Sequence, residues 1–346
     1  MSRRNKLRSL SCTAAALALA PAFAHAALYV TIIQGLGGQT EYERDFTDAR
    51  NKIEAASRTI TDSDKVFSFN GNAATRDAIL EHFKSLTAKM KEDDRAAIYL
   101  VGHGSFDGET YKFNIPGLDL TATDFKEVLE SLPGRNHVLV NTSSTSGAML
   151  EALVGTGENA SNPKYVVVTA TRSGAERNAT QFGRFFAEAL VSDTADLNKN
   201  QSVSIQEAFD YAQRAVERYF QDAGRLATEH ALLRGDGAAQ FNLSRLNALE
   251  FENELANASD ELRALLEQRQ AIDEEIESLQ LRRPQLENSD YLQQLQALIL
   301  RSAEINEEIE KLQSGNGGNA NNGGRSGGGG IAEPFEISVP PVEIQQ

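Results

Sequence analysis

The sequence predicts a three-layer α/β domain with a mostly parallel sheet, followed by a helical extension. Two observations carry the α/β assignment. Short apolar, β-branched runs at Leu28–Ile33, Lys65–Phe69, Ala96–Val101, Val138–Val140 and Tyr165–Ala170 alternate with amphipathic helical segments. Several of these runs end on glycine or hydroxyl clusters, as buried parallel strands do where a ligand crevice forms beyond their carboxyl ends. A third observation carries the extension. From Asn247 on, apolar residues recur at alternating three- and four-residue steps among charged residues and glutamines.

The first 26 residues read as a secretory leader. Arg3, Arg4, Lys6 and Arg8 precede the small apolar run Thr13–Phe23, and Ala24-His25-Ala26 is an A-x-A cleavage site. The expected location is periplasmic or secreted. Cleavage after Ala26 removes Cys12, the only cysteine of the 346 residues. The mature chain then has no thiol, no disulfide and no cysteine-ligated metal. The formal charge is −15, and −19 without the four basic leader residues. That balance argues against nucleic acid and anionic membrane surfaces as partners. The leader's apolar run is too short to span a bilayer, so no transmembrane segment is expected.

Leu28–Ile33 is the first strand, and Gln34-Gly35-Leu36-Gly37-Gly38 is a tight crossover whose spacing fits no phosphate-binding motif. Glu41–Ile60 and Thr75–Lys91 are helices. Ile79, Phe83, Leu86 and Met90 form the buried face of the second, and His82 falls off that face toward solvent. Tyr111–Ile115 and Leu118–Leu120 make a small β-excursion around Pro116-Gly117. Thr123–Leu132 is a helix opened by Thr123, and Ser146–Val154 and Gln181–Val191 are further helices.

Two strand ends hold the candidate chemistry. Ala96–Val101 runs into Gly102-His103-Gly104. Val138–Val140 runs into Asn141-Thr142-Ser143-Ser144-Thr145-Ser146-Gly147. In this pairing the chain resembles the caspase, gingipain and legumain group of cysteine peptidases over roughly Leu28–Leu243. Those enzymes carry a His-Gly after one strand and an acid-Ala-Cys-x-Ser-Gly after the next. The resemblance implies a caspase-like three-layer sandwich. It implies His103 as base, the Gly104 N–H as oxyanion donor, and Ser144 in the slot of the nucleophilic cysteine. The His103–Ser144 spacing of 41 residues is close to the ~50 of caspases. It also implies, more loosely, a substrate pocket at Arg172 and Ser173. Thr142 stands where the family has an acid. No G-x-S-x-G elbow is present, which argues against an α/β-hydrolase.

Asp196–Glu207 resembles an EF-hand loop, with Asp196, Asn198, Asn200, Ser202 (through its carbonyl), Ser204 and Glu207 at the liganding positions. Gln201 stands where such loops have glycine. Two readings stay open: a weak calcium site, or a loop whose Asn and Ser cap a helix. His230 reads as structural.

Leu262, Leu265, Ile272, Ile276, Leu279 and Leu286, and then Leu295, Leu298, Ser302, Ile305, Ile309 and Leu312, describe two long helices broken at Pro284 and Asn288-Ser289-Asp290. They predict a coiled-coil hairpin over 244–314. It serves self-association or partner docking, or it packs back on its own domain. A Gly/Asn-rich linker and tail follow over 315–346. The expected organisation is therefore a leader, a peptidase-like domain over 27–243, the helical region and the tail.

Three functions fit. One is a pseudopeptidase binding a peptide or protein. One is a Ser144/His103 hydrolase. One is an assembly protein acting through its helices.

Overall fold

The computed structural model describes residues 26–134, 136–155 and 165–316. Of the leader expected over 1–26 only Ala26 is described, and of the tail expected over 315–346 the part beyond Asn316 lies outside the described residues.

The central sheet has six strands. In chain order these are β1 (Leu28–Gln34), β2 (Val66–Phe69), β3 (Arg95–Val101), β7 (His137–Asn141), β8 (Tyr165–Thr169) and β10 (Leu232–Arg234). Across the sheet they lie β10-β8-β7-β3-β1-β2. Five are parallel, and β10 closes the β8 edge antiparallel, with Leu232 opposite Thr169. Every residue of β7 and β8 is buried, which is why those runs show no polar alternation.

Helices cover both faces. On one, α1 (Thr40–Ser57), α5 (Phe182–Ala189) and α6 (Ile205–Asp222) pack Ile53, Phe186 and Ala212 against Ile32, Tyr99 and Val140. On the other, α2 (Arg76–Lys89), α3 (Ala122–Ser131) and α4 (Ser146–Val154) pack Phe83, Phe125 and Met149 against Ile98, Leu100 and Val167. The result is the expected three-layer α/β sandwich.

The excursion after β3 has three short strands: β4 (Gly104–Phe106), β5 (Tyr111–Phe113) and β6 (Leu120–Thr121). α3 is capped by Thr121 rather than by Thr123 as expected. Thr121 and Asp124 form a reciprocal capping box, and Asp124 also pairs with Arg76 of α2 at 2.6 Å. His82 departs from its expected solvent position. Its ring packs among Phe67, Phe69 and Phe83 and hydrogen-bonds Thr31 Oγ1 at 2.9 Å. Burial pulls its pKa down to about 4. The Phe67 and Phe69 that enclose it come from β2, so helix periodicity could not show the contact.

β9 (Ser202–Ser204) pairs with β11 (Asn242–Arg245) in a separate two-stranded sheet. The helical region follows as α7 (Ala248–Asn257), α8 (Asp260–Arg282) and α9 (Asn288–Asn316). α8 and α9 share a small core of Leu266, Ile272, Ile305 and Ile309, against which Phe251 of α7 also packs. The hairpin rests on the α/β domain. Glu277 of α8 pairs with Arg95, and Leu281 enters the sheet core. No helix among the described residues is long and apolar enough to cross a membrane.

Candidate active site

The parallel sheet delivers the ends of β3 and β7 side by side, because Leu100 and Asn141 are register partners. Gly102 lets the chain turn against Gly35 of the neighbouring crossover: a Cβ there would lie 3.1 Å from the Gly35 Cα. His103 follows. Its ring stands edge-on to Tyr42 and Phe46 of α1, at 4.8 and 5.0 Å between centroids, and it donates to the Gly37 carbonyl. Burial lowers its pKa below the usual 6.5, against the opposing pull of the Gly37 bond. The imidazole is therefore neutral at pH 7, and one nitrogen is fixed as the donor.

Gly104 lies directly on the Ser-rich loop. A Cβ at this position would sit 2.5 Å from both Ser143 Oγ and the Ser144 carbonyl. Ser144 is 5% exposed, and its Oγ donates to the Gly104 carbonyl at 3.1 Å. The structure thus brings the His103–Gly104 and Ser143–Ser144 segments together. Among the described residues, no hydrogen bond joins the imidazole to Ser144 Oγ, and no carboxylate holds the imidazole.

A closed polar triangle supports the loop. Tyr111 OH and Ser143 Oγ lie 2.7 Å apart. Asn141 Nδ2 donates to Tyr111 OH at 2.9 Å, and Ser143 Oγ donates to Asn141 Oδ1 at 2.8 Å. All three residues are at most 1% exposed. Thr145 then takes the left-handed backbone, φ 57, which is strained for a β-branched residue. Its N–H donates to the Glu176 carbonyl at 2.9 Å. Ser146 and Gly147 face the end of β8, where the Gly147 N–H donates to Thr171 Oγ1 at 2.9 Å.

Arg172 and Ser173 lie on that rim. The Arg172 side chain is largely exposed and pairs with Glu176 at 3.0 Å. The Ser173 amide abuts Gly147, and Phe106 of β4 abuts Gly174. Sequence reasoning missed the partners that order this rim. Glu176 receives His230 Nδ1 at 2.6 Å as well as Arg172. Next to it, Glu229 is 4% exposed and accepts the backbone amides of Gln181 and Phe182 at the start of α5. The one signal was the adjacency Glu229-His230, whose partners lie about fifty residues earlier.

Burial, with Glu176 nearby, raises Glu229 to about 7 from 4.5. A raised carboxyl pKa contributes stability that is fully present below pH 4.5 and lost as pH rises through about 7. The expected result is a fall in stability of about 3 kcal/mol between those limits. Glu229→Gln should flatten that slope, as read by urea melts across the range.

At Asp196–Glu207 the carboxylates turn inward. Asp196 accepts the Asn200 and Gln201 amides. Glu207 accepts the Leu197 amide and forms a capping box with Ser204 at the start of α6. Gln201 adopts φ 63, the conformation that glycine supplies in calcium loops. The oxygen donors and this backbone fit a calcium loop. The same hydrogen bonds also cap α6. Among the described residues no group of three or more His, Cys, Asp or Glu is placed to hold a metal ion.

A Gly-His-Gly and a Ser-Gly loop thus meet at adjacent strand ends of a six-stranded α/β sheet. The profile of the Peptidase C13 family matches residues 43–233, more than half of the chain, and the chain belongs to that family. No curated protein matches it. Among solved structures, the chain is similar to a protein from Geobacter sulfurreducens, at 10% identity and TM-score 0.40 over 60% of this chain and 94% of that one. It is also similar to caspase-1 from Spodoptera frugiperda, at 9% identity and TM-score 0.39 over 64% and 91%.

Proposed function

We propose that this member of the C13 family is an exported pseudopeptidase that holds a peptide or protein segment in its crevice without cutting it. One observation carries the reading. The hydroxyl in the nucleophile slot spends its proton on the Gly104 carbonyl, while the imidazole is turned to Gly37, Tyr42 and Phe46. A serine needs a close, oriented base with electrostatic support. The Ser144 hydroxyl lacks that arrangement. Beside the Ser-rich loop, Phe106 packs directly on Gly174 of the Arg172–Gly174 rim. A serine-reactive phosphonate should leave the protein unlabelled, while immobilised peptide arrays retain it. Labelling that Ser144→Ala abolishes would reverse this reading in favour of a serine hydrolase. The observation on that side is the Gly37 carbonyl, which orients the imidazole as a base requires.

The Asp196–Glu207 loop adds weak calcium binding to this reading, supported by its donors and the φ of Gln201. Asp196, Asn198, Asn200, the Ser202 carbonyl and Glu207 would hold the ion, at an affinity of roughly 0.1–1 mM. Chelation in millimolar calcium buffer should lower Tm. An unchanged Tm would leave the loop as a helix cap alone.

A further inference from the structure

The strand ends opposite the crevice carry a different feature. The Ala27 carbonyl accepts the Arg95 amide at 2.8 Å, and the Ala27 nitrogen donates to Asp94 Oδ1 at 2.8 Å. The other oxygen of Asp94 accepts the Lys91 amide at 2.9 Å. Asp94 is 5% exposed. Among the described residues, no Lys, Arg or His side chain comes within 4 Å of it. A buried carboxylate without a counter-charge is costly. In the cleft that Ala27 lines, Arg95 pairs with Glu277, Lys65 with Asp62, Arg58 with Glu54, Arg245 with Glu274 and Arg301 with Glu275.

The bond before Ala27 closes the Ala24-His25-Ala26 triplet. We propose that the mature chain begins at Ala27 and that its α-ammonium is the missing counter-ion of Asp94. A leader peptidase adds water across the Ala26–Ala27 bond. The C–N bond breaks, Ala26 leaves as a carboxylate, and the Ala27 nitrogen takes up protons to become an ammonium. An amide hydrogen bond becomes a charge-assisted one at the same atom, roughly twice as strong. Ala26 and Ala27 line a cleft of about 870 Å³ between the sheet and α8–α9, so the remaining ammonium protons can be hydrated. Export processing thereby anchors the start of the first strand against β3. This inference does not depend on the reading of the crevice.

Asp94 should raise the α-amine above its ordinary pKa of about 7.7–8.0. The added stability is then full below that range and lost as pH rises through the raised value. Asp62, Asp93, Glu252, Glu274, Glu275 and Glu277 face the same cleft and act in the same direction, whereas Arg58, Lys65, Arg95, Arg245, Arg282 and Arg301 oppose it. The full chain is exported with its leader, and its N-terminus is read by intact mass. Its α-amine is titrated by NMR after reductive ¹³C-methylation, beside a chain that retains Ala26. The expected N-terminus is Ala27, with a pKa about one unit above the ordinary range. The Ala26 form and Asp94→Asn should titrate within that range. A different N-terminus, or an ordinary α-amine pKa at Ala27, overturns the proposal. If Asp94→Asn does not fold, the Ala27 and Ala26 forms decide by themselves.

Discussion

Ser144→Cys should turn the protein into a peptidase. The substitution puts sulfur on the loop that lies against Gly104, one residue from His103. The Gly37 carbonyl fixes one imidazole nitrogen of His103, and burial keeps the ring neutral at pH 7. The Gly104 backbone already lies against Ser144. A thiol titrates near 8.5, so a few per cent is thiolate at neutral pH without a strong base. Its longer bond from Cβ also carries the nucleophile further into the crevice than the hydroxyl. The expected gain is on the order of 10²–10³-fold in turnover of fluorogenic peptides over the parent. The variant, expressed from Ala27 on and so without Cys12, should be alkylated by iodoacetamide at one position. His103→Ala in the same background should return activity to the parental level. A folded Ser144→Cys protein that neither alkylates nor cleaves would show that the crevice is not a peptidase site lacking only its sulfur.

Gly147→Ala should unfold or severely destabilise the domain, far beyond the loss from its neighbour Ser146→Ala. A Cβ at Gly147 would lie 2.1 Å from the Ser173 nitrogen, 2.3 Å from the Arg172 carbonyl carbon and 2.5 Å from the Ser173 Cα. All three are backbone atoms, so no rotamer change relieves the contact. The loop after β8 must move off α4, breaking the bond from the Gly147 amide to Thr171. The cost should exceed about 3 kcal/mol. Ser146→Ala removes a hydroxyl that accepts the Thr171 amide at 3.1 Å, a loss of about 1–2 kcal/mol. Thermal melts of the two variants rank these effects. A Gly147→Ala protein melting within a degree of the parent would mean the two strand-end loops are not packed together as described.

The long elements were legible because their signals are local. The runs that become β3, β7 and β8 are apolar throughout, since both faces are covered. The faces of α2 and of α8–α9 repeat at helical spacing. β4, β9, β10 and β11 escaped because three or four residues carry no periodicity. Their pairing partners set them, as when Leu232 meets Thr169. The cap of α3 was misplaced by two residues because Thr121 and Thr123 are equivalent as letters. Asp124 chooses between them, and it also reaches Arg76 on another helix.

The sequence by itself determined composition-bound chemistry. Position 144 is a serine, so it offers oxygen, and no folding can change that. It also determined the alternation of the five parallel strands with the long helices, which follows from the period of apolar residues. Only the tertiary structure decided where the imidazole of His103 points, that Glu176 joins Arg172 to His230, and that α8 docks through Glu277 onto Arg95. Each of these contacts joins residues distant in the chain. Its geometry depends on how the sheet twists and the helices seat, and no local pattern records that.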